Sequence, residues 1–214
     1  MEIHLGCVVE GAGEEGAVPI LVRAIAARVD PTLFINIPRP VRIRRTKLHA
    51  KFGELERGIQ LAVRNLRKKG GLFILLDSEG EAPCQLGPEL VKRAVQSRGD
   101  VPVGVVLAHR EYEAWFLAAA ESLRGQRDLD AGFTTPADPE AIQDAKGWLR
   151  KHMPANRKYS EREDQPALTA RLDLEGARQR SPSFDKCWRE VAKVITELRD
   201  KGQLPSDSET KPES

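Results

Sequence analysis

"LFILLDSEGE", Leu72 to Glu81, is the stretch on which the fold turns. Its five leading apolar residues run without alternation, the pattern of a strand covered on both faces in a parallel sheet, and they end in an acidic turn. Upstream, Phe52, Leu55, Ile59, Val63 and Leu66 recur at helical spacing and Gly70-Gly71 closes that helix. Before it lie a β-branched strand over Ile3 to Val9, a glycine turn, and a helical stripe of Val18, Ile20, Leu21, Ala24 and Ile25. Asp30-Pro31 stops that stripe, and a second strand, "TLFINI" (Thr32 to Ile37), runs into Pro38 and Pro40. Downstream, Pro88 opens a third helix carrying Leu90, Val91, Ala94 and Val95, and "VPVGVVLA" (Val101 to Ala108) is a fourth strand. This alternation predicts an α/β fold: an open, mainly parallel four-stranded sheet with flanking helices.

After Ala108 no further strand is expected. "REYEAWFLAAAESL" reads as helix, residues 125–139 as a loop, and Pro139 to His152 and Phe184 to Leu198 as helices. The domain reading is an α/β domain over 1–124, a mostly α-helical extension over 125–200 packed on it, and a disordered polar tail over 201–214. Trp115, Phe116, Leu117, Leu123, Trp148, Phe184 and Trp188 suit a core, whereas Tyr159 and Gln165 fall in a polar, loop-like stretch and read equally well as surface.

The 214 residues carry 34 Lys and Arg against 32 Asp and Glu, so net charge argues for no partner and local patches decide. Cys7, Cys84 and Cys187 have no zinc spacing and are odd in number, which predicts free, partly buried thiols. The lack of a signal-like start or a membrane-length apolar run predicts no membrane association and a cytoplasmic location.

Two ligands compete for the first turn. Gly11, Gly13 and Gly16 spell G-x-G-x-x-G, the dinucleotide pattern, and nucleotide binding there is one reading. Yet Glu10, Glu14 and Glu15 share the turn, and like charges about 4 Å apart repel by roughly 4 kcal/mol at an effective dielectric near 20. Strand two also ends in prolines and Arg39 rather than the ribose-binding acid that the pattern requires. In an open α/β sheet, ligands collect at the carboxyl ends of the strands. Glu10 there, facing Asp77 and Glu79, is a set of hard oxygen donors suited to Mg²⁺ or Mn²⁺. Each acid taken singly reads as a solvated surface residue; their coincidence at two strand ends is the signal.

"VVEGAGE" followed by "LFILLDSEGE" resembles the Toprim domain of topoisomerases, primases and overcoming-lysogenization-defect nucleases. Within it the chain is similar to a bacterial Toprim-like domain-of-unknown-function family, numbered 4276, whose members carry "REYEAWFLA" (Arg110 to Ala118) and a later "DAKGWL" (Asp144 to Leu149). The resemblance covers about Ile3 to Leu198 and implies a Toprim-like Rossmannoid sheet and a metal-dependent nuclease or related phosphodiester-processing enzyme. It makes Glu10 the Toprim glutamate and possible acid/base, Asp77 the first aspartate of the paired motif, and Glu79 the occupant of the second position, one methylene longer than usual. Glu14 matches a further acid of the nuclease-type turn, and Glu111 and Glu113 are additional metal-ligand candidates at the exit of strand four. Residues two apart on a helix diverge by about half a revolution, so at most one of these two is expected in the crevice.

Arg39, Arg42, Arg44, Arg45, Lys47 and Lys51 follow strand two, and Arg64, Arg67, Lys68 and Lys69 end the second helix. Arg42, Arg44, Arg45 and Lys47 are the candidate DNA or RNA phosphate contacts, set against the reading of an ordinary solvated loop. The resemblance also implies phage-defence or toxin-like systems, and with them the alternative of a non-catalytic or regulatory subunit that binds a partner ATPase.

Overall fold

The structure is a computed structural model and describes residues 1–44, 53–64, 66 and 70–203. Strand β4 (Gly70–Asp77) lies between β1 (Glu2–Val9) and β5 (Val103–Ala108), parallel to both. Its side chains alternate between two separate bodies of core. Phe73 and Leu75 enter one, and Leu72, Ile74 and Leu76 enter the other, which is why the run is apolar throughout.

Among the described residues the sheet has five strands rather than the four expected, in the order β2-β1-β4-β5 with β3 also on β1, and each of their pairings is parallel. β2 (Phe34–Asn36) lies beside Glu2 to His4, and β3 (Val41–Arg42) beside Val8 and Val9. The expected strand over Thr32 to Ile37 is the short β2, and beyond Pro38 and Pro40, which lack an N–H for the ladder, the chain returns to β1 as the unexpected β3.

Helix α1 (Glu14–Val29) packs on one sheet face through Ala17, Val18, Leu21, Val22 and Ile25. On the opposite face α2 (Glu54–Arg64) brings Leu55, Ile59 and Val63, and α3 (Pro83–Arg98) brings Leu86, Leu90 and Ala94. α3 begins at Pro83, earlier than the expected Pro88, which falls in its second turn. From β1 the chain goes outward to β2 and β3, then crosses back to β4 on the other side of β1. The carboxyl ends of β1 and β4 therefore flank the topological switch point, where ligands of such sheets bind.

The second half is helical: α4 (Ala114–Ala118), α5 (Ala145–Lys151), α6 (Glu161–Thr169), α7 (Leu174–Arg180) and α8 (Pro182–Gln203). The long helix read into "REYEAWFLAAAESL" is only α4 followed by a 3-10 turn over Ala120–Leu123. Its aromatic residues are core, with Trp115 at 4.8 Å from the Tyr112 ring and 5.2 Å from Phe184. α8 lies close on the sheet, where a Cβ on Gly104 would come within 3.0 Å of Val194 Cγ2 and 3.2 Å of Phe73 Cδ2. It runs through Gln203, so the first three residues of the predicted tail are helical, and 204–214 lie outside the described residues.

All three cysteines are free; Cys7 and Cys187 are buried, whereas Cys84 is exposed. Among the described residues no helix is long and apolar enough to cross a membrane.

Candidate functional site

In the β1–β4 register Val9 stands opposite Leu75, so Glu10 and Asp77 emerge side by side from adjacent strand ends. Asp77 follows Phe73 and Leu75 by strand alternation, which directs it to the sheet face that carries α1. Its Oδ1 accepts the Tyr112 N–H at 2.9 Å. Glu14, in the first turn of α1, folds back so that its Oε2 accepts the N–H groups of Glu10 (3.0 Å) and Gly11 (3.1 Å). Glu113 is fully buried: its Oε1 accepts the Tyr159 hydroxyl at 2.9 Å and the Gln165 amide at 3.3 Å. Its Oε2 is buried with no hydrogen-bond partner among the described residues. Four acids, from the ends of β1 and β4 and the starts of α1 and α4, thus share one region.

Their protonation equilibria record that crowding. Burial, followed by the charges of Glu14, Glu113 and Glu10, holds Asp77 well above the usual carboxylate range against the pull of Lys146. Burial pushes Glu14 up to about 7 despite its two amide bonds, and pushes Glu113 up to about 7 despite Lys146 and Tyr159. Burial by itself would lower Lys146; Glu113, Glu161 and Asp77 outweigh it and raise the ammonium above its ordinary value. Lys146 Nζ sits 3.0 Å from Glu161 and 3.9 Å from Glu111.

A family model described as "Domain of unknown function (DUF4276)" matches residues 9–192. The chain belongs to the DUF4276 family. Its matched span begins at the end of β1 and runs into α8, so the whole acid cluster and Lys146 lie within the DUF4276 region. No curated protein and no solved structure matches the chain.

The other expected site residues of this DUF4276 chain are distributed around that cluster. Glu79 is exposed and takes a left-handed backbone (φ +48°), which ends the strand alternation that sets the direction of Asp77. Its N–H bonds the carbonyl of Arg110, itself left-handed at φ +62°, and the Arg110 N–H bonds Ser78 Oγ at 2.7 Å. Glu111 is partly exposed; its Oε2 accepts the Lys146 N–H at 3.2 Å and so braces the start of α5. Arg39 and Arg42 surround Glu15 at 2.7 and 3.9 Å, and Arg42 stands opposite Val9, so both lie on the rim beside the start of α1. The Arg44 N–H donates to Glu54 at 3.3 Å. Arg45, Lys47, Lys51 and Arg67 to Lys69 lie outside the described residues.

Three residues not singled out as site candidates belong to the site: Lys146, Tyr159 and Gln165. The surface reading of Tyr159 and Gln165 is corrected: α6 docks against α1 and carries Gln165 inward onto Glu113, which also accepts from Tyr159 just ahead of the helix. That docking also accounts for Gly13, where a Cβ would lie 2.3 Å from the carbonyl oxygen of Glu161 at the start of α6. Lys146 sits inside "DAKGWL", the segment quoted for the resemblance, and its charge among apolar neighbours was the available signal. The donor set suits a hard divalent ion in kind, since it consists of carboxylate oxygens and includes the partnerless Glu113 Oε2. Among the described residues no three acid, histidine or cysteine side chains already converge at ion-ligand spacing.

Proposed function

We propose that this DUF4276 protein is a divalent-metal-dependent phosphodiester-processing enzyme, a nuclease acting on DNA or RNA through a Toprim-type acidic site. The observation that carries the reading is the burial of Glu14 and Glu113 beside the half-buried Asp77 and Glu10 at the switch point, with one Glu113 oxygen left without a partner among the described residues. Buried carboxylates without matching positive charge destabilise a fold, and their retention at a ligand-binding crevice is best explained by a ligand that neutralises them.

Asp77, Glu10, Glu14 and Glu113 would hold Mg²⁺ or Mn²⁺, with Glu79 and Glu111 as outer acids. When bound, such an ion polarises a phosphate and lowers the pKa of an attacking water. Glu10, half-buried, would take or return a proton at the reacting oxygen. Arg39 and Arg42 on the same rim supply charge for the substrate backbone. The amides of Glu10 and Gly11, which a nucleotide phosphate would need, already serve Glu14, and this favours the metal reading of the turn over the nucleotide one.

The test is to incubate the protein with single-stranded DNA, duplex DNA and transfer RNA in Mg²⁺, Mn²⁺ or chelator. Cleavage that requires metal and falls at least about hundredfold in Glu10→Gln and Asp77→Asn is expected. Absence of metal-dependent cleavage on all three substrates would overturn the enzyme reading in favour of a binding subunit, including one for a partner ATPase.

A further inference from the structure

We propose that Gln165 supplies the acid cluster with a neutral ligand: its side-chain amide oxygen binds the same divalent ion as Glu113 Oε2. That role rests on the metal reading above and adds to it a donor from the helical second half of the chain. Both oxygens are buried without a hydrogen-bond partner among the described residues, on side chains that are fully enclosed (Glu113) and 3% exposed (Gln165). Buried acceptors of this kind cost a fold stability unless something donates to them or is coordinated by them.

Gln165 occupies the second turn of α6 and reaches two parts of the site at once. Its amide nitrogen donates to Glu113 Oε1 at 3.3 Å, the oxygen that also accepts the Tyr159 hydroxyl, so both donors fall on one oxygen and neither on Oε2. Its amide oxygen faces the glycine turn between Glu10 and Glu14, where a Cβ on Gly13 would lie 2.2 Å from it. The second glycine of the turn motif is therefore the gap that admits this oxygen. The third, Gly16, lets α6 approach, since a Cβ there would lie 2.8 Å from Pro166 Cγ. α6 is also tied to the Asp77 side of the cluster. The Gln165 carbonyl accepts the Thr169 hydroxyl at 2.7 Å, Thr169 Oγ1 is bonded to the Tyr112 hydroxyl at 3.0 Å, and the Tyr112 N–H is the one that Asp77 accepts.

A hard divalent ion takes carbonyl oxygens as well as carboxylate ones, and a neutral oxygen adds a ligand without adding to the repulsion among Glu10, Glu14, Asp77 and Glu113. An amide meets both needs of this position: a glutamate could not donate to an ionised Glu113, and an apolar side chain could neither donate nor coordinate.

The experiment titrates Mn²⁺ by calorimetry into the parent, into Gln165→Met, of similar length but without the oxygen, and into Gln165→Glu, which keeps a side-chain oxygen and loses the donor to Glu113. Gln165→Met is expected to bind at least about tenfold more weakly than the parent, and Gln165→Glu at least about tenfold more tightly than Gln165→Met. A residue that only holds Glu113 in place gives no such recovery, because both substitutions remove its N–H groups. A smaller loss in Gln165→Met, or a smaller recovery in Gln165→Glu, overturns the ligand role. If Gln165→Met does not fold, Gln165→Asn, whose oxygen is drawn back by one methylene, replaces it with the same expected loss and the same refuting result. Mn²⁺ binding by the parent that every variant retains overturns the ligand role and leaves the metal reading standing; no Mn²⁺ binding by the parent overturns both.

Discussion

Raising the pH of the metal-free protein from 5 to 8 is expected to destabilise it. Glu14 and Glu113 each hold a proton up to about pH 7 when folded, against an ordinary value of 4.5 in the open chain. Between those values the folded chain binds more protons than the unfolded one, so stability present below pH 4.5 is lost as the pH rises through 7. A shift of that size corresponds to about 3 kcal/mol for each residue, at roughly 1.4 kcal/mol per unit. For a chain of this length, about 2–4 °C per kcal/mol translates this into roughly 6–12 °C of melting temperature per acid. The carboxylates held below their ordinary range, such as Glu121 at about 2, act in the opposite sense and only below about pH 4.5, so the two limbs separate cleanly. The assay is circular-dichroism melting in chelator at half-unit steps from pH 5 to 8, for the parent and for Glu113→Gln, which carries the neutral form permanently. The parent's midpoint should fall across the window and the variant's should fall less; adding Mn²⁺ at pH 7.5 should restore the parent. A midpoint that is flat or rises with pH, or an identical slope in Glu113→Gln, would refute the claim that these acids are buried together.

Two further substitutions probe the docking of α6. Gly13→Ala sets a methyl group 2.3 Å from a backbone carbonyl oxygen that cannot rotate away, and denaturant unfolding should report a loss of about 1–3 kcal/mol. Tyr159→Phe removes the hydroxyl that Glu113 accepts, so a loss of about 1–2 kcal/mol is expected at pH 8, shrinking at pH 5.5 where Glu113 is neutral, by the same unfolding measurement.

The alternation of strands and helices through Ala108 was legible because each apolar run carries its own period: "LFILLD" has no polar break and α1 and α2 have a helical stripe. The acids at Glu10 and Asp77 were legible because they punctuate strand ends. β3 was not, since two residues just after Pro38 and Pro40 carry no periodicity. Nor was the inward face of α6. "EREDQPALT" is polar along most of its length, and Gln165 is buried only because Glu113 and the Gly13 turn lie across from it, a relation between residues 52 or more apart that no local window contains. The placement of Glu79 depends on a left-handed backbone, to which Glu has no intrinsic preference.

The close seat of α8 on Gly104 has a consequence for synthesis. Until the codons through Leu198 have been read, the sheet face bearing Phe73, Leu75 and Val106 has no cover from Val191, Val194 and Leu198, and a ribosome-bound chain exposes that apolar surface for most of its elongation. This helix, made after the strands it covers, seals β4 and β5, so a nascent chain that stalls before it is a substrate for chaperones and proteases, not a folding intermediate waiting to be finished.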